Sequence, residues 1–119
     1  MRLGLTETID CAHMLPGHPK CGQLHGHTYT VEVEVEGEAS GGMVLDFADL
    51  RAQTREVLGP YDHRHWNDVL EYPTVENICQ LLATGLARKL AFPFTIRVYE
   101  GQGKWAETRS SPADRDPPR

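Results

Sequence analysis

The stretch His25-Gly-His-Thr-Tyr-Thr-Val-Glu-Val-Glu-Val-Glu36 shows the most regular alternation in the chain. One phase holds Tyr29 and three valines, and the other holds threonines and glutamates. Side chains on a strand alternate between the two faces of a sheet, so this pattern predicts an antiparallel strand with one buried face. His25 and His27 share the phase of the apolar residues, and we expect both imidazoles to point toward the protein interior.

A second strand is predicted just upstream, over residues 2–13, and it ends in His13. The residues between the two strands are rich in proline and glycine, which indicates a loop. If the strands pair antiparallel across this loop, His13 lies beside His25 and His27. Three histidines with an open fourth position are typical of catalytic zinc. The alternative is that His13 packs in the core while the other two histidines line a turn.

The rest of the chain is interpreted as two helices, residues 47–59 and 74–91, followed by two strands, residues 94–100 and 104–109. The first helix should bury a stripe made of Phe47, Leu50, Thr54, Val57 and Leu58. The order β-β-α-α-β-β has no strand-helix alternation, so it predicts an α+β fold with a four-stranded antiparallel sheet and both helices on one face. The open edges of this sheet favour pairing between subunits.

Length and composition limit the function classes. The 119 residues suffice for one domain, which we place at residues 1–109, with the Pro-rich, charged residues 110–119 as a disordered tail. A net charge of -5 argues against nucleic-acid and membrane-surface binding, since both need a positive field. The sequence has no signal-like start and no apolar run of membrane-spanning length, so we expect a cytoplasmic protein. Three scattered cysteines do not form a disulfide framework.

The cysteines are interpreted one by one. Cys21 lies four residues before His25 and next to Lys20, in a glycine-flanked loop. A cationic neighbour favours the thiolate, which makes Cys21 a candidate for proton transfer. The same spacing also allows Cys21 to be a fourth zinc ligand. Cys11 and Cys79 fall on the phases of buried residues and are interpreted as small core side chains.

Other ionisable residues are candidates for chemistry. Asp62 and His63 are adjacent and resemble a carboxylate-imidazole pair that shuttles protons, although a solvated turn is the more common explanation. Glu100 continues the inward phase of the third strand, where a carboxylate needs a partner such as the N–H groups of a pterin or guanine. The alternative places Glu100 in solvent beyond the core. His18 and His65 are expected to be exposed.

These motifs occur together with Gly42-Met-Val-Leu-Asp-Phe47 and Pro73-Thr-Val-Glu-Asn77. In this combination the chain resembles the 6-pyruvoyl-tetrahydropterin synthase family over residues 3–108, and within it the bacterial 6-carboxy-tetrahydropterin synthases of queuosine biosynthesis. The resemblance implies the tunnelling fold, in which subunits join their sheets into a barrel with the helices outside. It also implies homo-oligomers, trimers stacked into hexamers, with active sites at subunit contacts.

The resemblance further implies a zinc-dependent lyase that acts on 7,8-dihydroneopterin triphosphate. Zinc would be held by His13, His25 and His27, and protons would be transferred by Cys21, Asp62 and His63. The pterin would be bound by Glu100, with Thr74 and Glu76 beside it. For the triphosphate we suggest Lys20 and Arg64, because they adjoin Cys21 and His63. Departures from the family pattern concern pocket shape rather than mechanism, at Ile9, Cys11, Tyr61 and Trp66.

Two alternatives to the carboxy-forming synthase stay open. The first is the pyruvoyl-forming synthase of tetrahydrobiopterin synthesis, which would use the same groups. The second is a zinc- or pterin-binding homologue without turnover, in which Cys21 closes a four-ligand zinc shell.

Overall fold

The structure, a computed structural model, describes residues 1–114. Its elements are β1 (Arg2–His13), β2 (His25–Glu36), α1 (Phe47–Leu58), α2 (Val75–Ala87), β3 (Phe94–Glu100) and β4 (Trp105–Ser110). The strands form one sheet in the order β1-β2-β3-β4, and every neighbouring pair is antiparallel. The α+β fold predicted from the element order is therefore confirmed.

The register of β1 against β2 brings the predicted histidines together. Both strands have 12 residues, and His13 pairs with His25 across the sheet while Cys11 pairs with His27. The odd-numbered residues of β2 from Tyr29 to Val35 are fully buried. Because the two strands share this buried face, the imidazoles at their adjoining ends lie on the protein side of the sheet.

Both helices begin at residues whose side chains cap the first turn. The Asp46 side chain accepts a hydrogen bond from Ala48 N at 2.8 Å, and the Thr74 hydroxyl accepts one from Asn77 N at 3.2 Å. Helix α1 contacts β1, and α2 contacts β3 and β4. None of the helices within residues 1–114 is both long and apolar enough to cross a membrane.

The buried stripe of α1 differs from the prediction at one residue. Leu50, Thr54, Val57 and Leu58 are buried as expected. Phe47 is 52% exposed, so its assignment to the core was wrong. The physical reason is its place as the first residue of α1, one turn before the helix reaches the core at Leu50.

The turn after α1 packs against the outer edge of β1. His63 N donates to Asp10 O at 2.7 Å, and Ala12 N donates to Arg64 O at 3.0 Å. Asp10 N also donates to a carboxylate oxygen of Asp62 at 3.0 Å. Edge strands expose unpaired backbone groups, and this turn satisfies those at the end of β1. The predicted proton-transfer pair is thereby fixed to the strand that carries His13.

Ordered backbone continues beyond the predicted domain boundary at residue 109. Strand β4 extends to Ser110, and a short 3-10 turn follows at Pro112–Asp114. The remainder of the predicted tail, residues 115–119, lies outside the described residues.

Candidate metal centre and active site

The rings of His13 and His25 are held so that their Nε2 atoms face each other. His13 Nδ1 donates to Pro73 O at 2.8 Å, and His25 Nδ1 donates to Gln23 O at 2.7 Å. In a neutral imidazole the other nitrogen then carries a bare lone pair. The two Nε2 atoms are 3.0 Å apart, so two lone pairs meet at hydrogen-bond distance. A shared cation resolves this repulsion, and backbone carbonyls on Nδ1 are the usual support of metal-binding histidines.

His27 completes the group from the same strand as His25. Its Nε2 is buried and has no hydrogen-bond partner within residues 1–114. Burial lowers the pKa of His27; Glu100 opposes this shift, and the neighbouring histidines add to it. One nitrogen of each of the three histidines lies within 4.8 Å of the others. Three imidazole nitrogens that converge in this way suit zinc, which favours nitrogen ligands and leaves a fourth position open in catalytic sites.

Glu100 lies at the edge of the histidine group. Its carboxylate oxygens are 3.4 Å from His27 Nε2 and 3.9 Å from His13 Nε2, and the side chain is 15% exposed. The backbone is fixed there because Glu100 N donates to Lys104 O. The predicted inward orientation is therefore present, and the alternative of a solvent position beyond the core does not apply. A carboxylate so little exposed requires positive or N–H partners.

Asp62 and His63 contact each other, which adjacency in sequence does not guarantee. The distance from His63 Nδ1 to Asp62 Oδ1 is 3.0 Å. The hydrogen bond from Asp10 N lowers the pKa of Asp62, and so do the nearby His63 and Arg55. Arg55 Nη2 lies 3.4 Å from the second carboxylate oxygen. The pair therefore has an ionised carboxylate that orients an imidazole, and the His63 side chain is 78% exposed and free to reach a ligand.

His63 also has an unusual backbone conformation. Its φ is +60°. Within the described part of the chain, no other residue except glycine has a positive φ. Such a conformation is uncommon for residues with a side chain and often marks functional sites. Here it is maintained by the hydrogen bond of His63 N to Asp10 O.

A shallow, open cavity of about 720 Å³ is lined by one residue from each of the two groups. His27 and His63 both line it, together with Gly26 and Arg64. A Cβ placed on Gly26 would come no closer than 3.7 Å to Cys11 O, so a side chain would fit at this position without a clash. The effect of the glycine is to leave this side of the cavity open. His27 and His63 therefore share one open surface cavity, which His13, His25, Asp62 and Glu100 do not line.

Cys21 occupies a separate place in the loop between β1 and β2. Its side chain is half-buried, and Leu15 N donates to its carbonyl at 2.8 Å. Among the described residues, two groups could hold a metal, the three histidines and the set of Asp10, Asp62 and His63. Cys21 belongs to neither group and does not line the 720 Å³ cavity. Within one chain, the structure does not bring Cys21 to the wall that carries His63.

Thr74 and Glu76 lie at the start of α2. The Thr74 hydroxyl is engaged as the helix cap, and Glu76 is exposed in the first turn. The preceding Pro73 contributes the carbonyl that orients His13. The sequence pattern predicted the start of α2. It predicted neither that Pro73 O orients His13, a proposed metal ligand, nor that Arg55 contacts Asp62. A carbonyl oxygen leaves no residue-type signal, and an arginine on a helix surface is common.

Comparisons with known proteins support one family. The 6-pyruvoyl tetrahydropterin synthase family model matches residues 2–111. A proposed 6-carboxy-5,6,7,8-tetrahydropterin synthase of Archaeoglobus fulgidus is 44% identical over 110 residues, which cover 92% of this chain and 96% of that protein. The 6-carboxy-5,6,7,8-tetrahydropterin synthase of Haemophilus influenzae is 46% identical over 63 residues, 47% of this chain and 45% of the enzyme.

A different activity is named for another relative, and a solved structure supports the fold. Dihydroneopterin monophosphate aldolase of Pyrococcus furiosus is 40% identical over 68 residues, 57% of this chain and 60% of that enzyme. The structure of Caenorhabditis elegans 6-pyruvoyl tetrahydropterin synthase superposes with a TM-score of 0.83 at 22% identity, covering 93% of this chain and 96% of that one. The profile match, the full-length relative and the shared fold agree that the chain belongs to the 6-pyruvoyl tetrahydropterin synthase family.

Proposed function

We propose that the protein is a zinc-dependent 6-carboxy-5,6,7,8-tetrahydropterin synthase. Its substrate is 7,8-dihydroneopterin triphosphate, which reacts with water to give 6-carboxy-5,6,7,8-tetrahydropterin, triphosphate and acetaldehyde. The product would serve queuosine and 7-deazaguanine biosynthesis in the cytoplasm. The full-length Archaeoglobus fulgidus relative and the Haemophilus influenzae enzyme carry names that support this choice over the pyruvoyl-forming branch.

One observation carries the proposal: three imidazole nitrogens converge beside a carboxylate that is largely shielded from solvent. His13, His25 and His27 would hold the metal. Glu100, at 3.4 Å from His27 Nε2, would accept hydrogen bonds from the N–H groups of the pterin ring. Bound zinc would supply Lewis-acid polarisation of oxygen atoms in the substrate side chain. In this proposal, a group that binds the pterin ring lies beside a group that acts on the substrate side chain.

Proton transfer would be divided between two other groups. Cys21, as thiolate, would remove a proton from carbon of the substrate side chain. His63 would exchange protons with the side-chain oxygens, while ionised Asp62 orients its ring through the 3.0 Å contact. Thr74 and Glu76 would lie beside the pterin, and Lys20 and Arg64, both exposed, would attract the triphosphate.

The separation of Cys21 from His63 within one chain supports an active site shared between subunits. We propose a homo-oligomer, a trimer or hexamer, built from the single domain of residues 1–109 through the edge at β4 and the part of the β1 edge that the turn at Asp62 and His63 leaves free. Cys21 of one copy would then face His63 of another. Mixing inactive Cys21→Ala and His63→Ala subunits tests this, because mixed oligomers would regain activity at the sites that combine both intact residues. Activity that stays absent in verified mixed oligomers would exclude a shared site.

The product identity tests the reaction. Purified, zinc-loaded protein is incubated with 7,8-dihydroneopterin triphosphate, and products are identified by mass spectrometry. Carboxy-tetrahydropterin with acetaldehyde supports the proposal, and a pyruvoyl product assigns the other synthase. A parallel incubation with dihydroneopterin monophosphate checks for the aldol cleavage named for the Pyrococcus furiosus relative. No conversion of either compound by protein with bound zinc favours the non-catalytic homologue.

A further inference from the structure

The loop between β1 and β2 is folded back on itself around His18. Leu15 N donates to Cys21 O at 2.8 Å, and His18 N donates to Leu15 O at 3.0 Å. A Cβ added to Gly22 would lie 2.6 Å from His18 O, so the loop closes too tightly there for any other residue. The predicted proton-transfer thiol therefore belongs to a compact loop.

The imidazole of His18 supplies the central acceptor of this loop. Its Nδ1 accepts from Cys21 N at 2.9 Å and from Lys20 N at 3.1 Å. These are two of the four hydrogen bonds that join residues 15–22 to one another. For Nδ1 to accept, the proton of the neutral ring must be on Nε2. The ring thus acts as Asn or Asp side chains do when they bond backbone N–H groups two and three residues later.

We propose that His18 is a positioning residue for Cys21, whose backbone N–H it holds so that the thiol keeps one direction. The importance of this direction rests on the proposed function, in which Cys21 removes a proton from the substrate. General bases act only within hydrogen-bond reach of their proton, so a small displacement of the thiol reduces turnover. His18 itself touches neither the metal ligands nor the cavity in this arrangement.

Three single substitutions of His18 test whether the hydrogen-bond acceptor, rather than another property of the side chain, positions Cys21. His18→Asn keeps an acceptor at the same distance from the backbone, since Asn Oδ1 occupies the place of Nδ1. His18→Gln is the matched control, because its amide is similar but one methylene farther away. His18→Leu removes the acceptor altogether. Because the histidine is exposed, we expect all three variants to fold and to bind zinc like the wild type.

The main readout is the alkylation rate of Cys21 by iodoacetamide at pH 7.5, measured on the zinc-loaded, full-length protein by mass spectrometry. Cys11 and Cys79 are buried, and burial raises the pKa of each to about 11, so Cys21 is the thiol that reacts. We expect His18→Leu and His18→Gln to alkylate faster than the wild type, by about fivefold for each of the two hydrogen bonds that the variant loses. His18→Asn should match the wild type.

Turnover should change in the opposite direction. In His18→Leu and His18→Gln, kcat falls although the thiol is more accessible, while KM and zinc content stay constant, and His18→Asn restores kcat. Equal alkylation rates in all four proteins would overturn the proposal, as would failure of His18→Asn to differ from His18→Leu. Because alkylation needs no substrate, these results hold even if the wild type proves inactive, and the two proposals can fail separately.

Discussion

The histidine group and the Cys21 loop adjoin the same β1–β2 connection, but they are held in place differently. His13 and His25 project from paired strands, and each ring is oriented by a backbone carbonyl. Cys21 depends on a few hydrogen bonds within a surface loop. Regular sheet structure can only change cooperatively, whereas loops open locally at lower free energy. The metal group should therefore tolerate changes in its surroundings, and the thiol should not.

The largest effect is expected at the strand-held group itself. His13→Ala removes one of the three proposed nitrogen ligands, and we expect zinc affinity to fall by roughly 100-fold or more, since even the loss of a supporting residue costs 10–100-fold. Competition with a chelating dye measures the affinity. His65→Ala is the control, because His65 is half-buried nearby but outside the metal-binding group. Unchanged zinc affinity in His13→Ala would contradict the assignment.

The second effect separates the thiol from the metal. Cys21→Ala should reduce kcat by about 10²- to 10⁴-fold, the usual contribution of a general base, and leave zinc content unchanged. Metal analysis and product formation are measured on the same sample, with Cys79→Ala as the control for loss of a cysteine. Loss of zinc from Cys21→Ala would instead make Cys21 a ligand and favour the non-catalytic homologue.

A smaller effect is expected where a loop is anchored to a strand. Asp62→Asn weakens the contacts with Asp10 N and Arg55, and we expect the free energy of unfolding to fall by about 0.5–1 kcal/mol at pH 7. The pKa of Asp62 is lowered in the folded protein, so its contribution is present above the unfolded value near pH 4 and disappears as the pH falls through the lower folded pKa. Denaturant unfolding of both proteins at several pH values checks this. A difference that grows as the pH falls below 4 would contradict the assigned role.

The smallest effect is expected from a polar atom beneath the metal group. Tyr29 is fully buried, and its hydroxyl makes no hydrogen bond of good geometry within residues 1–114, although the Trp66 side chain lies close enough to interact with it. Tyr29→Phe should therefore change the free energy of unfolding by less than about 1 kcal/mol, because at most a weak contact with Trp66 is lost. Zinc affinity should equal that of the wild type. A large loss of either would show that the hydroxyl bonds to something the histidine group needs.

The strand-held part of the site could be predicted from sequence, because the alternation of apolar and polar residues determines which face of the sheet each side chain occupies. Alternation in residues 25–36 indicated the buried face, and the punctuated loop implied that β1 and β2 pair. Those two inferences suffice to bring His13 to His25. The inward orientation of Glu100 follows in the same way from the phase of β3.

The loop-held part could not be predicted to the same extent. His18 was expected to be exposed, and the structure agrees. Its ring also accepts two backbone hydrogen bonds, which no sequence pattern predicts. Periodicity also gave a wrong prediction for Phe47, because it does not show at which residue a helix first contacts the core. Contacts such as that of Arg55 with Asp62 depend on tertiary packing.

The turn that carries Asp62 and His63 also limits how the sheet can grow. In β1 the even-numbered residues direct their backbone groups away from β2, and those of Asp10 and Ala12 are already bonded to the turn. Arg55 Nη1 also donates a hydrogen bond to Thr8 O. Earlier even-numbered residues of β1 receive no such bond from the described residues. A strand of another subunit could therefore pair only with the first part of β1, and the turn with the residues proposed to move protons would block it from pairing farther along.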